Sequence, residues 1–438
     1  MKNLNCKSLK NSLSFLSIVF FSILLLSSCE QHKFLRERNL RKNLPPSKRE
    51  LPVVIPNQSN GVYSIVGTNQ KLYYNNNTEI LALSADDLFF GQDASYESIN
   101  PDYTDNENGT ITDNNTGLMW QKDPGEKLTY DEAVAGISTF NLAGYTDWRL
   151  PAIKELYSLI IFSGQDPSGY NGSSTSNLIP FIDTDFFEFE YGNPNSGERI
   201  IDAQFATSTL DIGDSQFGGG DLMFGVNFAD GRIKGYPTGP MPGQSQGKTF
   251  FVLYVRGNEA YGNNNFTDND NETISDEATG LMWTQDDSNK GMTWKDGLEY
   301  AEGLEFAGYS DWRLPDIKEL QRIVYYTRAP DATSSAAIDT VFNCTDIINE
   351  AGQIDYPYFW SSTTHANMNN GANAAYISFG RAMGKFNNQW MDVHGAGAQR
   401  SDPKIGNPDE YPNGHGPQGD AIRIYNYVRC VRNINSQN

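Results

Sequence analysis

The sequence predicts an α+β fold built from two tandem copies of one module. Three observations carry this prediction. Two long stretches repeat, each repeat passes from hairpin signals through helical spacing to β-rich segments, and Gly and aromatic residues are plentiful. The 438 residues suffice for two or three domains. With 38% apolar and 12% aromatic residues, 40 Gly and 20 Pro, the composition points to a loop-rich fold pinned by aromatic anchors and excludes a helical bundle.

The repeat is explicit. Tyr103-Thr-Asp-Asn-Glu-Asn-Gly-Thr-Ile-Thr-Asp-Asn-Asn-Thr-Gly-Leu-Met-Trp120 matches Phe266-Thr-Asp-Asn-Asp-Asn-Glu-Thr-Ile-Ser-Asp-Glu-Ala-Thr-Gly-Leu-Met-Trp283. Ala143-Gly-Tyr-Thr-Asp-Trp-Arg-Leu-Pro-Ala-Ile-Lys-Glu-Leu156 matches Ala307-Gly-Tyr-Ser-Asp-Trp-Arg-Leu-Pro-Asp-Ile-Lys-Glu-Leu320. The copy ends are matched as Tyr254-Val-Arg256 and Tyr427-Val-Arg429. A period of about 165 residues is a domain duplication, not a solenoid.

Within each copy the elements follow in order. Thr110–Asp113, the turn residues Asn114-Asn115-Thr116-Gly117 and Leu118–Gln121 read as a hairpin. Thr129 with Glu132 is a capping box for a helix carrying Tyr130, Ala133, Val134 and Ile137; Thr293 with Asp296 starts its counterpart, which carries Trp294, Leu298 and Ala301. Pro151 is placed at the start of a second helix, whose face is Ile153, Leu156 and Ile160; Ile317, Leu320 and Val324 form the same face in copy two. Strands are expected at 205–208, 222–228 and 250–255, and again at 359–362, 375–379 and 422–431.

The N-terminus carries Lys2, Lys7 and Lys10, an apolar run over 13–26 and then Leu26-Ser27-Ser28-Cys29, the pattern of an export signal too short to span a bilayer comfortably. Its end resembles a bacterial lipobox, which implies lipidation of Cys29 and attachment to the outer membrane. Cleavage without lipidation, or a single anchor helix, are the alternatives. The expected organisation is a signal peptide over 1–28, a polar tether over 29–60, a first domain with its lead-in over 61–258 and a second over 259–438. Loss of the leader removes three of the 33 Lys and Arg against 54 Asp and Glu, taking the formal charge from −21 to −24. Such acidity argues against nucleic acid as a partner. Cys344 and Cys430 are left as an even pair, which in an oxidising compartment suggests a disulfide stabilising by roughly 4–5 kcal/mol.

The repeated blocks, with Phe359-Trp-Ser-Ser362, Tyr427-Val-Arg-Cys-Val-Arg432 and the lead-in Gly91-Gln-Asp-Ala-Ser-Tyr96, resemble the Legionella collagen-like protein C-terminal domain family. The resemblance implies two C-type-lectin-like domains and a surface adhesin. The best-known member of that family is an adhesin that binds sulfated glycosaminoglycans, a ligand which the acidic charge of this chain disfavours, and no Gly-X-Y run is present. Copy one departs from the pattern with Phe205-Ala-Thr-Ser208 and with Gly257 in place of a Cys, which makes copy two the expected binder.

Trp360, Ser361, Ser362, Asn387, Asn388, Gln389 and Trp390 form an aromatic and amide-rich set suited to glycan contact, Trp390 foremost. Asn-rich loops also occur for turn reasons alone. Trp148 and Trp312 read as core anchors before they read as sugar platforms, with Asp147–Arg149 and Asp311–Arg313 tying a loop to a helix start. Asp268, Asp270, Glu272 and Asp276 alternate as calcium ligands would, as do Asp105, Glu107 and Asp113; the spacing departs from an EF-hand loop, and a solvated turn before the hairpin is the favoured reading. No cofactor is required, and calcium is the one cation for which the sequence leaves room. No catalytic motif is present. The sequence thus predicts a non-catalytic, lipid-anchored surface protein that binds glycan or host matrix. Its rivals are a structural subunit of an envelope complex and, more distantly, an enzyme of the formylglycine-generating fold class.

Overall fold

The computed structural model describes residues 63–213, 221–241 and 243–435. The leader, Cys29 and the tether lie outside the described residues. Each copy opens with the expected hairpin. In copy one Ile111 pairs with Trp120, and in copy two Ile274 pairs with Trp283. The turn between the strands needs a left-handed residue, supplied by Gly117 (φ 71°) and Gly280 (φ 74°). Asp113 and Asp276 pin it from within: Asn115 N donates to Asp113 (3.0 Å), and Ala278 N donates to Asp276 (3.2 Å).

The last strand of each copy returns beside its own hairpin. Val255–Gly257 pairs with Leu118–Gln121, and Val431–Asn433 pairs with Leu281–Thr284, so that both copies close the same four-stranded antiparallel sheet. This pairing corrects the matched ends. Val255 faces Trp120 as Val431 faces Trp283, so the counterpart of Arg256 is Arg432, not Arg429.

The helices start where their caps are. Thr129 and Glu132 form the capping box of Tyr130–Gly136, and Thr293 accepts from Asp296 N at the head of Trp294–Glu302. The helices Ile153–Leu156 and Ile317–Arg322 are preceded by Ala152 and Asp316 as N-caps, which puts Pro151 and Pro315 just outside the helices, two residues upstream of the first helical position. On the first helix Ala133 is buried while Val134 faces solvent, so the apolar stripe is narrower than its spacing suggested.

A six-stranded sheet joins the two copies. Its order is Tyr358–His365, Asn373–Ser378, Gln399–Pro403, Arg232–Pro237, Leu222–Asn227, Gln204–Phe205. Three strands come from each copy in mirrored order, and the seam is the antiparallel pair Gln399 and Ile233. The largest core cluster runs through both copies, with Trp120, Leu156 and Phe205 from one and Trp283, Leu320 and Phe359 from the other. Two satellite clusters repeat the symmetry: Trp148 with Ala133 and Tyr254, and Trp312 with Trp294 and Trp360. The expected strand over 422–431 does not form; only its last residue enters the strand Val431–Asn433.

The lead-in, which precedes copy one in sequence, packs on copy two. Gln70 exchanges hydrogen bonds with the Thr364 backbone (2.7 and 2.9 Å), Thr363 Oγ1 donates to Asp93 (2.5 Å), and the Tyr96 hydroxyl donates to Glu302. Burial pushes the Asp93 carboxyl up to about 6.

Candidate functional site

Copy two carries segments that copy one lacks. Where copy one turns in residues 228–231 between its sheet strands, copy two inserts residues 379–398, which contain the hairpin Met383–Phe386 and Gln389–Asp392. A second small hairpin, Ile347–Ile348 with Ile354–Asp355, stands nearby, and the chain over 408–427 completes the rim. Between these three segments lies a cleft of about 580 Å³.

The tip of the inserted hairpin is Asn387-Asn388, both at positive φ (49° and 63°), as a two-residue turn matching strand twist requires. Asn387, Asn388 and Gln389 are exposed at that tip, outside the cleft lining. Trp390 lies on the returning strand opposite Lys385 and lines the cleft, while the Lys385 ammonium stands 5.6 Å from the ring centroid.

The opposite wall is Arg423, Tyr425, Asn426 and Tyr427, with Tyr411 and Glu350 beside them. Its shape depends on an unusual backbone. Ile424, a β-branched residue, has φ 63°, and Tyr425 N donates to Arg423 O (2.6 Å), a tight three-residue turn. Asp402 holds that turn from below. One of its oxygens accepts from Arg423 N (3.0 Å), Ile424 N (3.0 Å) and Asn426 Nδ2 (3.1 Å). Burial raises the Asp402 carboxyl to about 6 despite these donors. Arg423 is committed on two sides. It donates twice to Glu350 (2.8 and 3.0 Å), and its guanidinium lies 3.7 Å from the Tyr358 ring centroid. Burial works to raise the Glu350 carboxyl, but the Arg423 bonds outweigh it and hold the group below its ordinary value.

Trp360, Ser361 and Ser362 are not surface contacts. They sit in a strand buried along its whole length. Trp360 Nε1 donates to Met292 O (2.9 Å) and Ser361 Oγ to Ala375 O (2.8 Å), so their polar atoms are consumed inside the fold. Among the described residues no group of three or more acidic, His or Cys side chains could hold a metal ion. Asp276 is buried and accepts from Asn264 and Thr279, whereas Asp268 accepts from Asp270 N and Gln285 in an exposed turn that also contains Glu272. The alternating acids therefore do not converge. The expected disulfide is absent as well. Cys344 and Cys430 are free, with Cys430 inside one core cluster and Cys344 against another, and burial pushes both thiols up.

The repeated Asp-Trp-Arg motif is structural, with partners other than those expected. Trp148 and Trp312 are buried, and their indoles donate to Leu142 O and Phe306 O. Asp147 pairs with Arg256 and Asp311 with Arg432, closing the last strand onto the loop. Arg149 pairs with Glu155 and Arg313 with Glu319 at the helix start.

Arg423, Tyr425, Tyr411 and Glu350 escaped the sequence reading, because the repeat drew attention to what the copies share. For Arg423, Tyr425 and Tyr411 the available signal was the opposite one, a stretch in which copy two exceeds copy one; Glu350 lies where copy two is the shorter and carried no such signal.

The architecture is that of a duplicated, mostly sheet α+β module with few helices. The family model of the Lcl C-terminal domain matches it twice, over residues 109–256 and 272–394, and the chain belongs to that family. No curated protein and no solved structure matches the chain.

Proposed function

We propose that this chain is an exported lipoprotein, anchored through Cys29 in the outer membrane, whose C-type-lectin-like modules capture glycan or extracellular matrix at the cell surface without catalysis. The observation that carries the reading is the copy-two cleft, where Trp390, Tyr411 and Tyr425 meet polar groups on a wall fixed by Asp402. Aromatic faces with a few placed polar atoms are the common chemistry of small-ligand recognition. The leader and its Leu-Ser-Ser-Cys end support export and anchoring. Cys430 is buried and Cys344 partly buried, and desolvation pushes both thiols up, which weighs against an enzyme that needs a reactive cysteine.

The test is a screen of the full chain against glycans and matrix proteins, with and without calcium. Binding to a defined glycan or matrix component is expected. Silence across the panel, with a protein partner co-purifying in stoichiometric amount, would favour the envelope-subunit role instead.

A further inference from the structure

We infer that the copy-two cleft receives an uncharged sugar ring by its apolar face, in preference to a sulfated or carboxylated one. The inference rests on the glycan-capture reading above and names its ligand class. Two features of the cleft lead to it.

The first is charge. Among the described residues that line the cleft, Arg423 is the sole cation, and Glu350 and Asp409 stand against it. Two Arg423 nitrogens are bonded to Glu350, and the third, Nη1, has no hydrogen-bond partner but is buried away from solvent. The Lys385 ammonium, which is not part of the lining, stands at the rim, bonded to the neutral oxygens Pro412 O and Asn413 Oδ1, both at 3.0 Å, and 5.6 Å from the centre of the Trp390 ring. A sulfate or uronate entering here would meet two carboxylates, an Arg423 charge already offset by Glu350 and a single lysine at the rim, with no cluster of cations to balance its loss of water.

The second is surface. Trp390 on the inserted hairpin and Tyr411 and Tyr425 on the 408–427 segment supply aromatic side chains to the lining, and Tyr425 is 49% exposed. An uncharged pyranose offers what such walls accept: an apolar C–H face to lie on a ring and hydroxyls at its edge. The wall is rigid before a ligand arrives, because Asp402 fixes the Arg423–Asn426 turn and Tyr358 stacks on Tyr376 at 4.5 Å behind it. Preorganisation of this kind lowers the ordering cost of binding. At about 580 Å³ the cleft falls in the size range of small-ligand pockets.

The experiment is calorimetric titration of the full chain in detergent with maltohexaose, mannohexaose and chitohexaose, and in parallel with a heparin hexasaccharide and a proline-rich peptide. A neutral hexasaccharide is expected to bind, with affinity unchanged between about 0.05 and 0.5 M salt. Trp390→Ala and Tyr425→Ala, on opposite walls, should each weaken it about tenfold or more, while Trp390→Phe retains most of the affinity. Thermal melts of the variants separate lost contact from lost folding. Salt-sensitive binding of heparin alone overturns the assignment and leaves glycan capture standing. Binding of the proline-rich peptide in a Trp390-dependent manner, or neutral-sugar affinity unmoved by both variants, also overturns it. A chain that binds no saccharide of either charge overturns the glycan-capture reading itself.

Discussion

Lys154 and Lys318, the same motif lysine in the two copies, reach into each other's copy. Lys154 Nζ donates to Arg322 O (2.6 Å) and Lys318 Nζ to Ser158 O (2.8 Å), and Ser158 and Arg322 occupy equivalent positions. The contact is thus made twice, as across the interface of a symmetric dimer. Further acceptors are Asn264 for Lys154 and Gly67 O for Lys318. Burial lowers both ammonium groups to about 7.

A pH dependence follows from that lowering. Between about pH 7 and 10.5 the unfolded chain holds the two lysine protons that the folded chain has released. More protons bound in the unfolded state mean that these lysines make stability rise with pH through this window. Denaturant titrations at pH 7, 8 and 9 should give a flatter slope for Lys318→Met and for Lys154→Met than for the native chain. Equal slopes would show that neither lysine changes charge on folding.

The seam of the shared sheet makes the two copies one cooperative unit. Ile233 is fully buried at the crossing from copy to copy. Ile233→Ala should cost about 2–5 kcal/mol and lower a single calorimetric transition. Two separable transitions, with only one displaced, would contradict a common core.

Asp402→Asn removes the charge that gathers three donors under the cleft wall. Hydrogen bonds to a charged group are worth about 1.5–3 kcal/mol each, but they are not additive, so a loss of about 2–3 kcal/mol in urea unfolding is expected. Glycan binding should fall further than the Tm shift alone accounts for, because Asp402 accepts from both backbone amides at the head of the Ile424 turn.

Thiol counting distinguishes the free cysteines from a bridge. Cys344 and Cys430 should react slowly with a thiol reagent in the native chain and fully in denaturant without any reductant. Thermal stability should be the same with and without dithiothreitol. Failure to label in denaturant would restore the disulfide.

Export is checked at Cys29. Cys29→Ser should abolish palmitate incorporation and release the protein from the membrane fraction. Retention of both would remove the anchor from the proposal.

Much of the fold was legible because local chemistry and tertiary role agree. The turn at Gly117, the capping box at Thr129 and the buried Trp pairs announce themselves through residue type and spacing. The strands Arg232–Pro237 and Gln399–Pro403 did not, because the charged residues Arg232, Lys234, Arg400 and Asp402 break the apolar pattern. Their charges are satisfied by residues distant in sequence or on neighbouring loops of the same copy, as in the Arg232 pair with Asp166 at 2.7 Å, and only three-dimensional proximity reveals such partners. The site was half legible. Trp390 stood out as an aromatic in a polar loop, whereas Trp360 had the same composition around it and proved to be core. Nothing in residue type separates a tryptophan on a two-sided buried strand from one on a hairpin rim.

The mirrored strand order carries an evolutionary consequence. A sheet centred on Ile233 and Gln399 is also what two separate chains would build by docking the same edge against itself. Single-copy relatives could reach this architecture as homodimers, and covalent linkage of the halves would then free one of them to acquire new rim segments while the other keeps the joint closed.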